Sequence, residues 1–332
     1  MTTLPGVPGR TRITLLALVL PLAILFGAIA WAVSLLPRLP DPVATHWGAD
    51  GLPDGFGSPT QTLVMLVALV IPFTVGMWAL GFFLGSASST RRLAVFVSVW
   101  FAVAICGLIV GSLAVQQGLT DAAEAPGVGT PIGISFAAGA VLGVLAVLLV
   151  PGDRPQPTSV PVPDTAERLA LRTGEQAAWV RTVEMPGLHV LVGAGVALVI
   201  VSAVVTLLSD RAVGAVTAAS LAAAAALIVV LGRWTVTVDH SGLVARCALP
   251  RPRTIVPLDE VESAEVIEVR PLADFGGWGY RVGAGGRVGI VLRAGEAILV
   301  HRTGGRQLVV TVDDAETGAA LLNTLADRSR LR

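Results

Sequence analysis

One short stretch of the chain gathers side chains able to bind a ligand or carry a proton: His46, Trp47, Asp50 and Asp54. One imidazole and two carboxylates suit a divalent ion or a polar ligand, and an indole adds an apolar plate with a single N–H donor. The same stretch also reads as scaffolding. Asp50-Gly51 and Pro53-Asp54-Gly55 are successive turn signals, and His and Asp side chains there hydrogen-bond turn backbone and fix its shape. The expectation is a ligand-contacting loop built on these four residues, with no resident metal, no cofactor and no catalytic residue. A second set is basic. Arg281 and Arg287 lie in the glycine-rich stretch 276–289, which matches neither a dinucleotide fingerprint opening a helix nor a P-loop. It reads as a long β-hairpin loop whose arginines touch acidic lipid heads or a partner protein, each charge contributing about 1 kcal/mol at a lipid surface. Cys106 and Cys247 sit in different environments, offer no metal-ligand spacing, and read as small buried residues. Nowhere do a nucleophile and a base recur at catalytic spacing, so the expectation is a protein that is not an enzyme.

The segments that must position these residues are mostly lipid-soluble. Six apolar runs without a charged side chain cover 13–36, 62–85, 93–115, 132–150, 188–208 and 212–232. A bilayer core of about 30 Å is crossed by roughly 20 helical residues, and a charge at its centre costs about 2.5–3.5 kcal/mol. Each run is therefore expected to span. The whole chain agrees: 54% of its residues are hydrophobic and 14% charged, against about 25% charged in a soluble domain. Its formal charge of +0 leaves no basic stripe for nucleic acid. Every basic residue is arginine, which reads as a compositional bias of a GC-rich, actinobacterial-type source. Arg10 and Arg12 followed by Ala28-Ile29-Ala30 imitate a signal peptide, but the apolar run outlasts the usual h-region of about 7–15 residues, so a retained helix is expected.

Arginine placement orients the bundle. Arg10, Arg12, Arg91, Arg92, Arg154, Arg168, Arg172, Arg181 and the tail from Arg233 fall on one side, while Arg38 and Arg211 face Asp41, Asp50, Asp54, Asp121, Glu124 and Asp210 on the other. By the positive-inside bias, both termini are expected in the cytoplasm and loops 37–61 and 116–131 outside. Gly81/Gly85, Gly107/Gly111 and Gly139/Gly143 are small-xxx-small pairs of the kind that lets helices approach within a bundle. Pro21 and Pro72 are expected to kink their helices. The spans hold no Asp, Glu, Lys or Arg, and their one histidine, His189, sits at the very start of the fifth run as an interface residue, which argues against a proton-coupled carrier and against an intramembrane protease.

The outward loop carries a resemblance. A Pro-rich lead-in, His46-Trp47, then Gly51, Pro53, Asp54, Gly55, Phe56, Gly57 and Ser58 after a first membrane helix resembles the domain-of-unknown-function family 1648. That domain also forms the N-terminal part of SdpI-type proteins, immunity factors and signal transducers against a secreted peptide toxin. The resemblance covers residues 13–85 and implies a multi-pass protein of a bacterial cell membrane, without a catalytic residue.

Residues 151–163 form a proline-rich linker, and 169–183 read as a hairpin about Thr173-Gly174-Glu175 that docks on the tail. From Trp234 onward the hydrophobic period becomes two. Strands are expected at 234–239, 243–248, 254–257, 264–270, 279–282, 289–293, 297–302 and 307–312, then an amphipathic helix at 314–327. About seven antiparallel strands closed by one helix resemble a bacterial pleckstrin-homology-like (PH-like) domain over residues 233–330. From Arg233 to Arg332 there are 13 Arg and 12 acidic residues, hence no dominant basic patch. The fold expected is thus an α-helical transmembrane bundle of six helices plus a small C-terminal β-barrel or sandwich. The partners expected are the lipid bilayer, an extracytoplasmic peptide or small ligand, and a cytoplasmic protein. Three roles fit these readings: sensing or immunity, a small-solute transporter or channel, and a cell-envelope scaffold.

Overall fold

A computed structural model describes residues 9–48, 51–172, 174–208, 222, 225–226, 228–249 and 253–331. The chain divides into two units, Met1–Asp153 and Arg154–Arg332. The first is helical. Its helices α1 (Arg10–Arg38), α2 (Pro59–Phe83), α3 (Ser88–Ala114) and α4 (Gly129–Leu148) are each long and apolar enough to cross a membrane. Half of the spanning stretch of α3 is buried against 17–28% in the other three, which makes α3 the central post. The others turn large apolar side chains outward, among them Phe26, Val64 and Leu148, as lipid-facing surfaces do.

Glycine decides how closely α3 and α4 meet. A Cβ on Gly107 would lie 2.4 Å from Ser135 Oγ, and one on Gly111 2.7 Å from Pro131 Cβ. From the other helix, a Cβ on Gly139 would lie 2.9 Å from the Trp100 carbonyl and one on Gly143 2.9 Å from the Phe96 ring. Both small-xxx-small pairs are therefore consumed inside the bundle. Helix α1 has a π-helical turn at Leu15–Val19, just before Pro21. Proline has no N–H to give the carbonyl four residues back, which is that of Ala17. The buried Ser98 hydroxyl of α3 donates to that carbonyl at 2.8 Å. A proline in a membrane helix is tolerated because a neighbouring helix supplies the missing donor.

At the end of the bundle holding the N-terminus of α3, Arg91 is fully buried. It donates to the carbonyls of Gly85 (2.7 Å), Ser86 (3.0 Å) and Pro151 (3.3 Å) and to Asp153 Oδ1 (3.0 Å). Asp153 accepts in turn from the Ser88 backbone N–H and hydroxyl, at 2.8 and 2.9 Å. A carboxylate from beyond α4 thus caps α3.

The second unit is sheet-rich. In chain order it contains β3 (Trp179–Glu184), α5 (Leu188–Leu208), β4 (Arg233–Asp239), β5 (Gly242–Cys247), β6 (Arg253–Val256) and β7 (Val261–Val269). The short α6 (Pro271–Phe275) follows, then β8 (Gly279–Val282), β9 (Val288–Val291), β10 (Gly295–Arg302), β11 (Arg306–Thr311) and α7 (Ala315–Arg330). Strands β3-β4-β5-β6 form one antiparallel sheet, and β7-β10-β11-β9-β8 form the other. The expected all-antiparallel tail is corrected at one ladder: β9 and β11 run parallel, Val309 opposite Gly289. The expected hairpin at 169–183 is corrected too. Its second arm is β3, which pairs with β4. Its first arm is no strand, because Leu169 exchanges bonds with the Thr324 hydroxyl of α7 and the Leu171 carbonyl accepts from Arg328.

Neighbours β3 and β4 are separated in sequence by an apolar excursion that leaves and returns at one sheet edge, Met185 N–H donating to the Gly232 carbonyl at 2.8 Å. A Cβ on Gly195 of α5 would meet Ala225 at 3.1 Å, so the returning helical residues pack on α5. Most of the sixth expected run, 212–232, lies outside the described residues.

A buried ion cluster lies in this unit. Glu260 accepts from Arg302 at 2.6 Å, from Arg306 at 3.0 Å and from the Gln156 N–H at 3.1 Å. Burial alone would raise its pKa, but these donors and the two guanidinium charges outweigh it and hold the carboxyl below the ordinary glutamate value.

Candidate functional site

The loop after α1 folds into a hairpin of β1 (Val43–Trp47) and β2 (Pro53–Gly57), which leads through Ser58 into α2. Its register pairs Val43 with Gly57, Ala44 with Phe56, His46 with Gly55 and Trp47 with Pro53. Space is short at two of these places. A Cβ on Gly55 would stand 2.8 Å from His46 Cβ, and one on Gly57 3.3 Å from the Thr45 methyl. At the tip Gly51 takes φ +77°, which glycine adopts without strain. The glycines of the motif are thus accounted for by the hairpin itself.

The hairpin is fastened to the bundle by polar groups of the loop after α3. Gln116, wholly buried, accepts from the Ala44 N–H at 2.7 Å and donates to the Ala44 carbonyl at 3.0 Å and the Ser112 carbonyl at 2.8 Å. Its amide stands in for a third strand and satisfies backbone groups that burial would otherwise leave orphaned. Trp47 donates its indole N–H to the Pro126 carbonyl at 3.1 Å and packs against Ala44, Ala122 and Ala125. The Gly118 N–H reaches the Arg38 carbonyl at 2.8 Å. Short 3-10 turns and an Asp121 side chain donated to by the Ala123 N–H complete this cap.

Of the four residues singled out in this loop, His46 and Asp54 are brought together, Nδ1 against Oδ1, with 72% and 54% of their side chains exposed. Trp47 faces the 122–126 loop as a brace. Asp50 lies outside the described residues. Among the described residues no group of three His, Cys, Asp or Glu side chains is placed to hold a metal ion. Beside the His46–Asp54 pair, Phe56 and Leu52 are exposed at 47% and 61%. The hairpin therefore offers a polar pair flanked by apolar side chains on a fixed backbone.

Residues 22–71 match the family model described as Domain of unknown function (DUF1648). The matched DUF1648 segment comprises the later part of α1, the whole hairpin and the first half of α2. No curated protein and no solved structure matches the chain. Within the DUF1648 segment the motif residues divide by role: Gly51, Gly55 and Gly57 permit the hairpin, Trp47 anchors it, and His46 with Asp54 face outward. Gln116 lies outside that segment and was not singled out from sequence. Its signal was a single amide pair, Gln116-Gln117, closing an otherwise apolar run.

The basic candidates lie in the second unit. Arg281 of β8 donates through Nε to the Trp278 carbonyl at 2.6 Å, and Arg287 sits over the Phe275 ring at 5.8 Å. Tyr280, next to Arg281, stacks on Trp234 with ring centroids 6.5 Å apart. Trp234 follows directly on the returning apolar stretch and donates to the Leu231 carbonyl at 2.9 Å. The glycine-rich stretch is a short helix and hairpin, with Gly276, Gly277, Gly279, Gly285 and Gly286 at positive φ.

Proposed function

We propose that this is a non-enzymatic protein of a bacterial cell membrane that meets a peptide or small ligand at the β1–β2 hairpin and relays that contact to a cytoplasmic, PH-like interaction module. One observation carries the reading: His46 and Asp54, with Phe56 and Leu52, stand exposed while the inward groups of the hairpin are committed to holding it still. A fixed backbone presenting polar and apolar groups side by side suits recognition, because little ordering entropy is lost on binding. Six spans are assigned here, with 188–208 and 212–232 as the last two. The arginine bias puts the hairpin outside and the sheets inside. Two sheets closed by α7 support the PH-like assignment. Arg281, Arg287 and the exposed Trp278 are assigned to acidic lipid heads or a protein partner, since Tyr280 stacks on a residue emerging from the apolar stretch.

The test is the double substitution His46→Ala with Asp54→Ala in the producing organism, scored for sensitivity to secreted peptides and to envelope stress. The variant is expected to fold, elute and melt like the parent, yet to show the sensitivity of a strain lacking the protein. Unchanged sensitivity in a folded variant refutes a ligand role. Solute flux in proteoliposomes, if found, would move the assignment to transport.

A further inference from the structure

We propose that the cleft between α1 and α4 is a binding site for one acyl chain of an anionic phospholipid, whose phosphate is held by Arg12. The cleft is a groove of about 420 Å³ walled by Leu16, Leu20 and Ile24 of α1 and by Leu142 and Leu145 of α4, with Val99 of α3 in its floor. It is continuous with a second hollow of about 450 Å³ that shares Leu16, Leu148 and Leu149 and has Arg12 in its lining.

Three observations select the occupant. The first is charge. Four arginines lie at this end of the bundle, and three are engaged: Arg91 with Asp153, Arg10 over the Phe82 ring at 4.9 Å, and Arg92 on the Val150 carbonyl at 3.5 Å. Arg12 is exposed and has no hydrogen bond or ion pair among the described residues. Its guanidinium is thus the free cation at the mouth of an apolar channel, and a guanidinium fork matches phosphate oxygens. The second is length. From Arg12 to Ile24 the helix rises roughly 18 Å at 1.5 Å per residue, close to one leaflet of a hydrocarbon core about 30 Å thick. The third is the nature of the walls. Helices pair in lipid through small residues, and Gly107, Gly111, Gly139 and Gly143 are already spent on the contact between α3 and α4. Bulky leucines line the groove instead, a surface suited to a flexible chain rather than to another helix. The π-helical turn at Leu15–Val19 lies along this wall.

Native mass spectrometry of the full chain, exchanged into mixed micelles of phosphatidylglycerol and phosphatidylcholine, tests the site. The parent is expected to retain one phosphatidylglycerol in preference to phosphatidylcholine. Arg12→Gln should lower that preference roughly fivefold, the equivalent of about 1 kcal/mol per basic side chain at a charged lipid surface, and Arg12→Lys should restore much of it. Leu145→Trp, at a half-exposed position on the wall, should displace the lipid without loss of thermal stability. Equal retention of both lipids overturns the proposal, and so does an Arg12→Gln variant with undiminished preference. A photo-crosslinker at Leu142 that captures a peptide of residues 188–232 or a second copy, and no lipid, would assign the groove to protein and also overturn it.

Discussion

Glu260 shows how much a single side chain can hold. Its side chain is 6% exposed and faces two arginines, the largely buried Arg302 and the buried Arg306, so removing it takes the counter-charge away from both. Breaking a buried ion pair from one side costs about 3–5 kcal/mol, and Glu260→Gln is expected to destabilise the chain by about 3 kcal/mol in urea or thermal unfolding. The pH dependence follows from its lowered pKa. A carboxyl whose folded pKa lies below its unfolded value stabilises fully above the unfolded value, about 4.3, and loses that contribution as pH falls through the folded value. The parent should therefore lose stability on acidification below about pH 4, and Glu260→Gln should lose less over the same window. A variant with the same acid limb as the parent would show that other carboxylates govern it. At this scale the sequence is least legible. Nothing in the pattern of Leu258-Asp259-Glu260 tells that residue from its neighbours, because the two arginines that define it come from β10 and β11, more than forty residues away. His46 and Asp54 were singled out by their place in a turn-rich loop, but their mutual contact appears only once β1 and β2 are paired.

Elements were read more easily, since each is decided by local pattern. The four helices of the first unit follow from apolar length, and the first strand of the hairpin from the alternation of Val43, Thr45 and Trp47. Its second strand was missed, because Pro53-Asp54-Gly55 reads locally as a turn while pairing with β1 makes it part of β2. The misread first arm, Leu169 and Leu171, alternates like a strand but is held by the hydroxyl of Thr324 and the guanidinium of Arg328, partners that no local window contains. Ser98 is a similar case, a polar residue in a span whose purpose appears only beside Pro21. Ser98→Ala removes the hydroxyl that reaches the Ala17 carbonyl in the bundle interior and should cost about 1–3 kcal/mol. Pro21→Ala restores a backbone N–H four residues from that carbonyl. In the Pro21→Ala background the serine substitution should cost at least about 0.5 kcal/mol less, the signature of coupled sites in a double-mutant cycle. Additive losses in thermal unfolding of the purified protein would mean that the hydroxyl and the proline act independently.

On the scale of the whole molecule the argument turns on where charge is allowed. In the first unit the hairpin end carries Asp41, Asp54, Asp121 and Glu124 against Arg38, while the opposite end carries Arg10, Arg12, Arg91 and Arg92 against Asp153. This opposition was legible directly, because a bilayer tolerates ionised groups only at its two faces and the positive-inside bias ranks those faces. Thiol labelling on intact cells can decide the orientation, provided the native thiols stay silent. Cys106 and Cys247 are both buried, so neither reports on sidedness, and a cysteine must be introduced at an exposed place. Leu52 at the hairpin and Leu331 after α7 are 61% and 86% exposed. In a background with Cys106 and Cys247 replaced by alanine, Leu52→Cys is expected to react with a membrane-impermeant maleimide on intact cells. Leu331→Cys should react only after the membrane is permeabilised. The reverse pattern would place the hairpin in the cytoplasm, where no secreted ligand could reach it, and equal labelling of both would put the two positions on one side. An odd number of crossings between them would then be ruled out by the same measurement that the six-span assignment, with its five crossings after the hairpin, must pass.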